Sequence, residues 1–325
     1  MPIQPTKFIW RNGEMIPWAQ ATTHIATHGL QYGTAVFEGM RAYDTRHLGP
    51  AVFRNKEHIE RFLFSAKVYR IPIKYSLDEI MGVCRQIISV NGLRAGYIRP
   101  VAFLGYGEMG PSAQNAPGEI AVMTWPLGVY LGAEALKSGI DVSVSSWRRL
   151  APGTMPAGVK AAGNYLSSRL IGMEAKDQGF AEGLGLTHDG TVSEGAGENI
   201  FLAHKGRLLT PPAASSILGG ITRDAVITLA RDLGYSVVET DLPRESLYIA
   251  DEVFFVGTAA EVTPIRSVDK ITVGPGRRGP VTEALQKAFF NVVNAQVPDT
   301  HGWLTWVYPD QAAARPLQSS AAKSR

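Results

Sequence analysis

The 325-residue sequence holds a single cysteine, Cys84. An intrachain disulfide is thereby excluded, no Cys-rich metal site can be built, and a reducing cytoplasm is the expected compartment. Charge of one sign is also scarce: 32 Lys and Arg stand against 29 Asp and Glu, a net of +3, and the densest basic clusters are the pairs Arg148-Arg149 and Arg277-Arg278. Nucleic acid is not an expected partner for so even a surface. No run approaches the ~20 apolar residues of a membrane span, and MPIQPTKFIW lacks a charged region followed by an apolar one, so neither a membrane nor an export signal is expected. A Walker A loop and a G-x-S-x-G nucleophile elbow are missing too.

What is present suits a globular enzyme: 45% hydrophobic and 19% charged residues, in a chain long enough that two domains with a cleft between them are the default. FIWRNGEMI reads as a hairpin around Asn12-Gly13. Asn55 is placed to cap a helix through KEHIERFLFSAKVY, with Ile59, Phe62, Leu63 and Ala66 on one face. LDEIMGVCRQIISV repeats the pattern with Ile80, Val83, Cys84, Ile87 and Ile88 and stops at Asn91-Gly92. Strands GYIRPVAFLGYG and EIAVMTW follow. The small domain is expected over 1–126, an interdomain loop over 127–139, a larger domain over 140–310 and a mobile tail over 311–325. In the larger part IDVSVSSW reads as a strand, NYLSSRLIGMEAKDQ as a helix closed by Gly179, AEGLGLT, GTVSEGA and ENIFLAH as strands, ITRDAVITLARDLG as a helix burying Val226, Leu229, Ala230 and Leu233, DEVFFVGTAAEVTPI as strand, turn and strand, and VTEALQKAFFNVV as the last helix. Hairpins with segregated helices indicate an α+β fold.

Two stretches, Gly105-x-Gly107-x-x-Gly110 and Gly274-x-Gly276-x-x-Gly279, match the dinucleotide fingerprint, which alone is weak. The first runs into PSAQNAPG, unable to open a helix, and the second begins too late for the strand and ribose-binding carboxylate that must follow. His24 and His28 share a helical spacing but have no carboxylate close by, so no metal is expected.

Four features support one another. SEGAGEN puts Glu194 at a strand end before glycines that admit a flat ligand. GGITRD sets Thr222 at a helix N-terminus, where free N–H groups favour a phosphate. GTAAE offers further N–H groups from Gly257 to Ala260, and Lys160 lies among small residues in VKAAGN, just before a helix. Singly, each has a plain reading: a cap, a solvated lysine, a polar surface. Their joint order and spacing resemble the class IV (fold type IV) pyridoxal-phosphate aminotransferases. VKAAGNYLSSRLIGMEAK, EGLGLTHDGTVSEGAGENIFL, LLTPPAASSILGGITRDAV, LPRESLYIADEVFFVGTAAEVTPIRSVD, HGLQYGTAVFEGMRAY and GYIRP are similar to the bacterial branched-chain group of that family, from about residue 8 to residue 308.

The resemblance implies a two-domain fold with the active site between the domains, and pyridoxal 5'-phosphate held as a Schiff base on Lys160. Glu194 is then expected at the pyridine nitrogen, Tyr165 at the phenolic oxygen, Arg61, Ile221, Thr222 and Thr258 at the phosphate, and Leu218, Gly220 and Gly257 around them. For substrate it implies Tyr97, Thr258 and Ala259 at the α-carboxylate, Arg99 at the γ-carboxylate of glutamate or 2-oxoglutarate, and Phe37, Gly39, Tyr32, Met109, Leu127 and Tyr130 along the apolar wall. Tyr32 and Met109 would come from a neighbouring subunit, so a homodimer is the minimum, with a hexamer open. The implied activity is transfer of the amino group between L-leucine, L-isoleucine or L-valine and 2-oxoglutarate. A D-amino acid or (R)-amine transaminase and an aminodeoxychorismate lyase share the fold, but Tyr97 and Arg99 weigh against them; a nicotinamide oxidoreductase using Gly274 to Gly279 is the reading from another class. One departure stands out: relatives commonly carry Trp in P-W-G-x-Y, whereas this chain has Leu127, which should widen the wall or alter its preference for aromatic substrates.

Overall fold

The computed structural model describes residues 3–45, 48–128 and 131–309; the tail expected over 311–325 lies outside them. Its first sheet is antiparallel and is built from β1 (Phe8–Arg11), β2 (Glu14–Pro17), β3 (Ala35–Phe37), β4 (Met40–Asp44), β5 (Pro50–Phe53), β6 (Gly96–Leu104) and β7 (Gly118–Trp125), with helices α1 (His28–Tyr32), α2 (Asn55–Val68) and α3 (Leu77–Val90). Asn12 and Gly13 take φ of 49° and 105°, the positive values a two-residue hairpin turn demands, and pair Arg11 with Glu14. Helix α3 starts at a capping box that its apolar period did not reveal: the Ser76 hydroxyl accepts from the Glu79 N–H, and the Glu79 carboxylate from the Ser76 N–H.

The second sheet follows α4 (Ala135–Ser138), a single helical turn inside the stretch expected to be loop. It holds β8 (Ile140–Arg148), β9 (Glu182–Leu186), β10 (Val192–Gly195), β11 (Asn199–His204), β12 (Arg207–Thr210), β13 (Ser236–Glu239), β14 (Glu252–Gly257), β15 (Glu261–Val268) and β16 (Ile271–Thr272), with α5 (Tyr165–Asp177), α6 (Ile221–Asp232), α7 (Ser246–Ile249) and α8 (Pro280–Val293). Three pairings here are parallel, β8 with β9, β8 with β15 and β12 with β13. Helix α5 makes the crossover between β8 and β9, and α6 that between β12 and β13. Strand β17 (Leu304–Trp306), grouped by the sequence with the second half, instead pairs with β5 and extends the first sheet.

Helices α2 and α3 bury Ile59, Phe62, Ala66, Ile80, Val83, Cys84, Ile87 and Ile88 against Met40, Ile98 and Val122 of the first sheet. Each large apolar side chain removed from water there contributes about 1.5–3 kcal/mol. A second apolar cluster joins Ala51 and Phe53 of β5 to Phe201, Phe254 and the inner faces of α6 and α8, so the two halves share packing. Two local readings need correction. Asn55 is the first residue of α2 and fully buried, its amide donating to the Met81 carbonyl; the cap position belongs to Arg54, left-handed at φ 52°. Leu233 lies past the end of α6 and is 48% exposed. Among the described residues no helix is long and apolar enough to cross a membrane.

Candidate active site

A cavity of about 340 Å³ opens between the sheets. Strands β3, β6 and β7 wall one side; the loop before α5, the first turn of α6 and the turn joining β14 to β15 wall the other. Lys160 is fixed there by its main chain. Its carbonyl accepts from the Phe37 N–H at 3.1 Å, its N–H donates to the Ser65 hydroxyl at 3.2 Å, and Ala161 bridges to Val36. The Asn164 amide donates to the carbonyls of Pro156 and Val159, bracing the loop from behind. The amine Nζ then donates to the Tyr165 hydroxyl at 2.5 Å and lies 5.0 Å from the ring centre of Phe37.

Glu194 forms one pole of the cavity. Its carboxylate accepts from Arg149 Nη2 at 2.5 Å, from the Asn199 amide at 2.9 Å and from the Leu218 N–H at 3.0 Å. Burial pushes its pKa up, and the Arg149 guanidinium and the Leu218 N–H oppose that rise. A cationic ring N–H approaching the carboxylate would oppose it further. Glu198, four residues on, is buried as well, and burial together with the nearby Glu182 carboxyl pushes it up to about 8. Neither glutamate lines a polar surface.

Arg61 and the first turn of α6 form a second pole of the same cavity. Glu38 Oε1 accepts from Arg61 Nε at 2.6 Å, and Oε2 from Arg61 Nη2 at 2.9 Å and His58 Nδ1 at 2.7 Å. Burial opposes ionisation of Glu38, but Arg61 and His58 prevail and hold its carboxyl below the ordinary range. Burial in turn depresses His58, so the charged partner of Glu38 is Arg61. Arg61 Nη1 donates to the Gly219 carbonyl at 2.7 Å. Three of the five guanidinium N–H groups are thus engaged and two remain for an anion. Gly220 caps α6 without any side-chain bond, and Ile221 and Thr222 line the cavity beside it. These are the donors a phosphate requires.

Tyr97 and Arg99 alternate on one face of β6 and both line the cavity. Arg99 Nη2 donates to the Tyr97 hydroxyl at 3.2 Å, while the buried Nε has no partner among the described residues. The rings of Phe37, Tyr97 and Trp125 surround the guanidinium at 4.6, 5.2 and 5.7 Å. Gly39 breaks what would otherwise be one strand from β3 to β4. A Cβ there would fall 1.8 Å from the Tyr97 hydroxyl, so only glycine leaves that hydroxyl its place.

The cavity therefore gathers Arg61, Lys160, Tyr165, Glu194, Leu218, Gly220, Ile221, Thr222, Gly257, Thr258, Phe37, Gly39, Tyr97, Arg99, Leu127 and Ala259, all anticipated from the sequence. Tyr32 and Met109 do not line it; they are 46% and 52% exposed. Tyr130 lies outside the described residues. Arg149, Asn199, Trp125 and Glu38 were missed. A buried carboxylate needs a countercharge, and that rule would have directed attention to the Arg148-Arg149 pair.

The decoys have structural explanations. A Cβ on Gly279 would meet the Glu252 carboxylate at 2.2 Å, because Glu252 accepts from the N–H groups of Val281 and Thr282 and occupies the start of α8 itself. A pyrophosphate has no place there. His28 engages Thr34 and the Gly110 carbonyl through its two ring nitrogens.

The family described as "Amino-transferase class IV" matches residues 35–268. A branched-chain-amino-acid aminotransferase of Escherichia coli (strain K12) is 53% identical over 309 residues, which are 94% of this chain and 99% of that one. A crystal structure of the Escherichia coli branched-chain amino acid aminotransferase superposes with a TM-score of 0.91 at 53% identity, over 93% of this chain and 100% of that one. A branched-chain amino acid aminotransferase from T.th., complexed with N-(5'-phosphopyridoxyl)-L-glutamate, superposes with a TM-score of 0.89 at 42% identity, over 94% of this chain and 100% of that one.

Proposed function

Since this chain belongs to the class IV amino-transferase family, we propose that it moves amino groups between branched-chain L-amino acids and 2-oxoglutarate, with Lys160 as its reacting amine. It is a pyridoxal-phosphate enzyme, and amino donor and acceptor take turns in one site. The observation that carries the residue assignment is the meeting of the Lys160 amine, the Glu194–Arg149 pair and the Arg61–Thr222 pole in a single cavity. A planar cofactor with a ring nitrogen at one end and a phosphate at the other fits those two poles. Bound there, pyridoxal phosphate supplies a carbonyl that takes up the amino group and a ring that accepts the electron pair released at the substrate α-carbon.

The protein's own groups do the rest. The Glu194 carboxylate, backed by Arg149 and Asn199, keeps a proton on the ring nitrogen, and the Tyr165 hydroxyl orients the ring through its oxygen. Arg61, the N–H groups of Ile221 and Thr222, and Thr258 would hold the phosphate, each charge-assisted bond contributing about 1.5–3 kcal/mol. The Lys160 amine would serve as the nucleophile that holds the cofactor's carbonyl carbon and, once freed, as the base that takes the proton from the substrate α-carbon. Tyr97, Thr258 and Ala259 receive the α-carboxylate. Arg99 meets the γ-carboxylate of glutamate, while Phe37 and Leu127 face an aliphatic side chain.

Tyr32 and Met109 fit a site completed by a second copy of the chain. Exposed Leu166, Leu170 and Met173 recur along one stripe of α5 and support that homodimer. A monomer in sedimentation that turns over at full rate would contradict it. The single, buried Cys84 supports a cytoplasmic setting.

A panel of both enantiomers of leucine and alanine with 1-phenylethylamine tests the substrate assignment: turnover confined to the L-branched acid is expected, and a preference for D-alanine or the amine would overturn it. Leu127 adds a sharper check. Leu127→Trp fills space on the wall, and the phenylalanine-to-leucine ratio of kcat/KM is expected to fall about tenfold. An unchanged ratio would show that this position does not face the substrate.

A further inference from the structure

Arg41 lies on β4, outside the cavity, and is 9% exposed. Its Nη2 donates to two successive carbonyls of the connection leaving β7, Leu127 at 3.2 Å and Gly128 at 3.0 Å. Its Nη1 sits 3.0 Å from Glu261 Oε1, the same oxygen that accepts from the Tyr43 hydroxyl at 3.0 Å. The guanidinium carbon lies 5.5 Å from the centre of the Tyr43 ring. Glu261 is 5% exposed and opens β15 directly after the turn of Thr258 and Ala259, holding a φ of 55° that is rare for a residue with a side chain. One guanidinium thus touches two separate pieces of the cavity wall: it hydrogen-bonds the segment that carries Leu127 and stands at ion-pair distance from the base of the turn that carries Thr258 and Ala259.

Those pieces have different tasks in the reading above. Leu127 faces the substrate side chain, whereas the turn presents N–H groups to its α-carboxylate. The distance between them sets the length and width of the substrate that fits. Neither piece carries Lys160, Glu194, Tyr165, Arg61 or Thr222; of the residues assigned to the cofactor only Thr258 lies on one of them, so a change in their spacing acts chiefly on substrate and leaves most of the cofactor contacts in place.

We infer that Arg41, with Glu261 and Tyr43, forms a positioning unit that fixes the substrate pocket from behind and sets affinity for both the branched-chain and the dicarboxylic substrate. The inference rests on the transaminase reading and is separable from it: wild-type turnover of leucine with 2-oxoglutarate tests the reading, and variant-to-wild-type ratios test Arg41.

Arg41→Lys keeps a charge opposite Glu261 but lacks the planar fork that serves a carboxylate and two carbonyls together. Its KM for leucine and for 2-oxoglutarate is expected to rise about tenfold each, with kcat within about twofold of wild type and the bound cofactor's absorbance retained. Tyr43→Phe removes one hydroxyl from the same network without unpairing a buried charge, and KM is expected to rise about threefold. If Arg41→Lys fails to fold, Tyr43→Phe decides. Unchanged KM values, whatever happens to Tm, would overturn the inference, and so would a fall in kcat at constant KM.

Discussion

Lys160→Ala is expected to abolish repeated turnover, with a loss of more than about 10³-fold in kcat. The substitution should be clean, because the bonds that place Lys160 in the loop come from its main chain. Its N–H still reaches Ser65 and its carbonyl still accepts from Phe37. What disappears is the amine 2.5 Å from the Tyr165 hydroxyl. Far-UV circular dichroism and Tm should stay close to wild type while leucine-dependent formation of 4-methyl-2-oxopentanoate stops after at most one equivalent. Multiple turnovers at a near-native rate would remove Lys160 from the chemistry altogether.

Arg99→Ala should split the two substrates. Arg99 already has its ring neighbours, and its buried Nε has no hydrogen-bond partner among the described residues. An anion reaching it gains a charge-assisted bond of about 1.5–3 kcal/mol, so the variant should lose about 10- to 150-fold in kcat/KM for 2-oxoglutarate. For 4-methyl-2-oxopentanoate, which ends in two methyl groups, the variant loses only the packing against Phe37 and Trp125 and the bond to the Tyr97 hydroxyl, a change both oxo acids share, and a loss of about threefold or less is expected. Steady-state kinetics with each oxo acid separates the outcomes. Equal losses would mean that Arg99 supports the pocket as a whole and does not read the second carboxylate.

The helical core was legible because period alone decides it: Ile80, Val83, Cys84, Ile87 and Ile88 fall on one face of α3, and all are buried. The hairpin at Asn12-Gly13 was legible because few residue pairs accept its backbone angles. Asn55 misled because residue type favours a cap, whereas tertiary context buries it and leaves the cap to Arg54. Parallel pairing in the second sheet was hidden for a different reason. Strand sequences carry alternation but not direction, and direction followed only from where α5 and α6 cross.

The candidate site divides in the same way. The residues assigned to cofactor and substrate lie in motifs with recognisable neighbours, and Lys160, Glu194 and Thr222, which share the cavity, were found through them. Residues that hold those groups in place lie far off in sequence. Arg149 meets Glu194 across 45 positions, and Arg41 meets Leu127 across 86. No spacing rule links such pairs; only the folded sheets bring them together. Tyr32 and Met109 mark a further limit: in the single chain both lie outside the cavity, and their assignment rests on the proposed second copy.

Borohydride reduction of the purified holoenzyme, followed by digestion and mass spectrometry, tests the central assignment most directly. One pyridoxyl adduct is expected, on the peptide carrying Lys160. An adduct on any other lysine, or none with the cofactor demonstrably bound, would contradict the assignment.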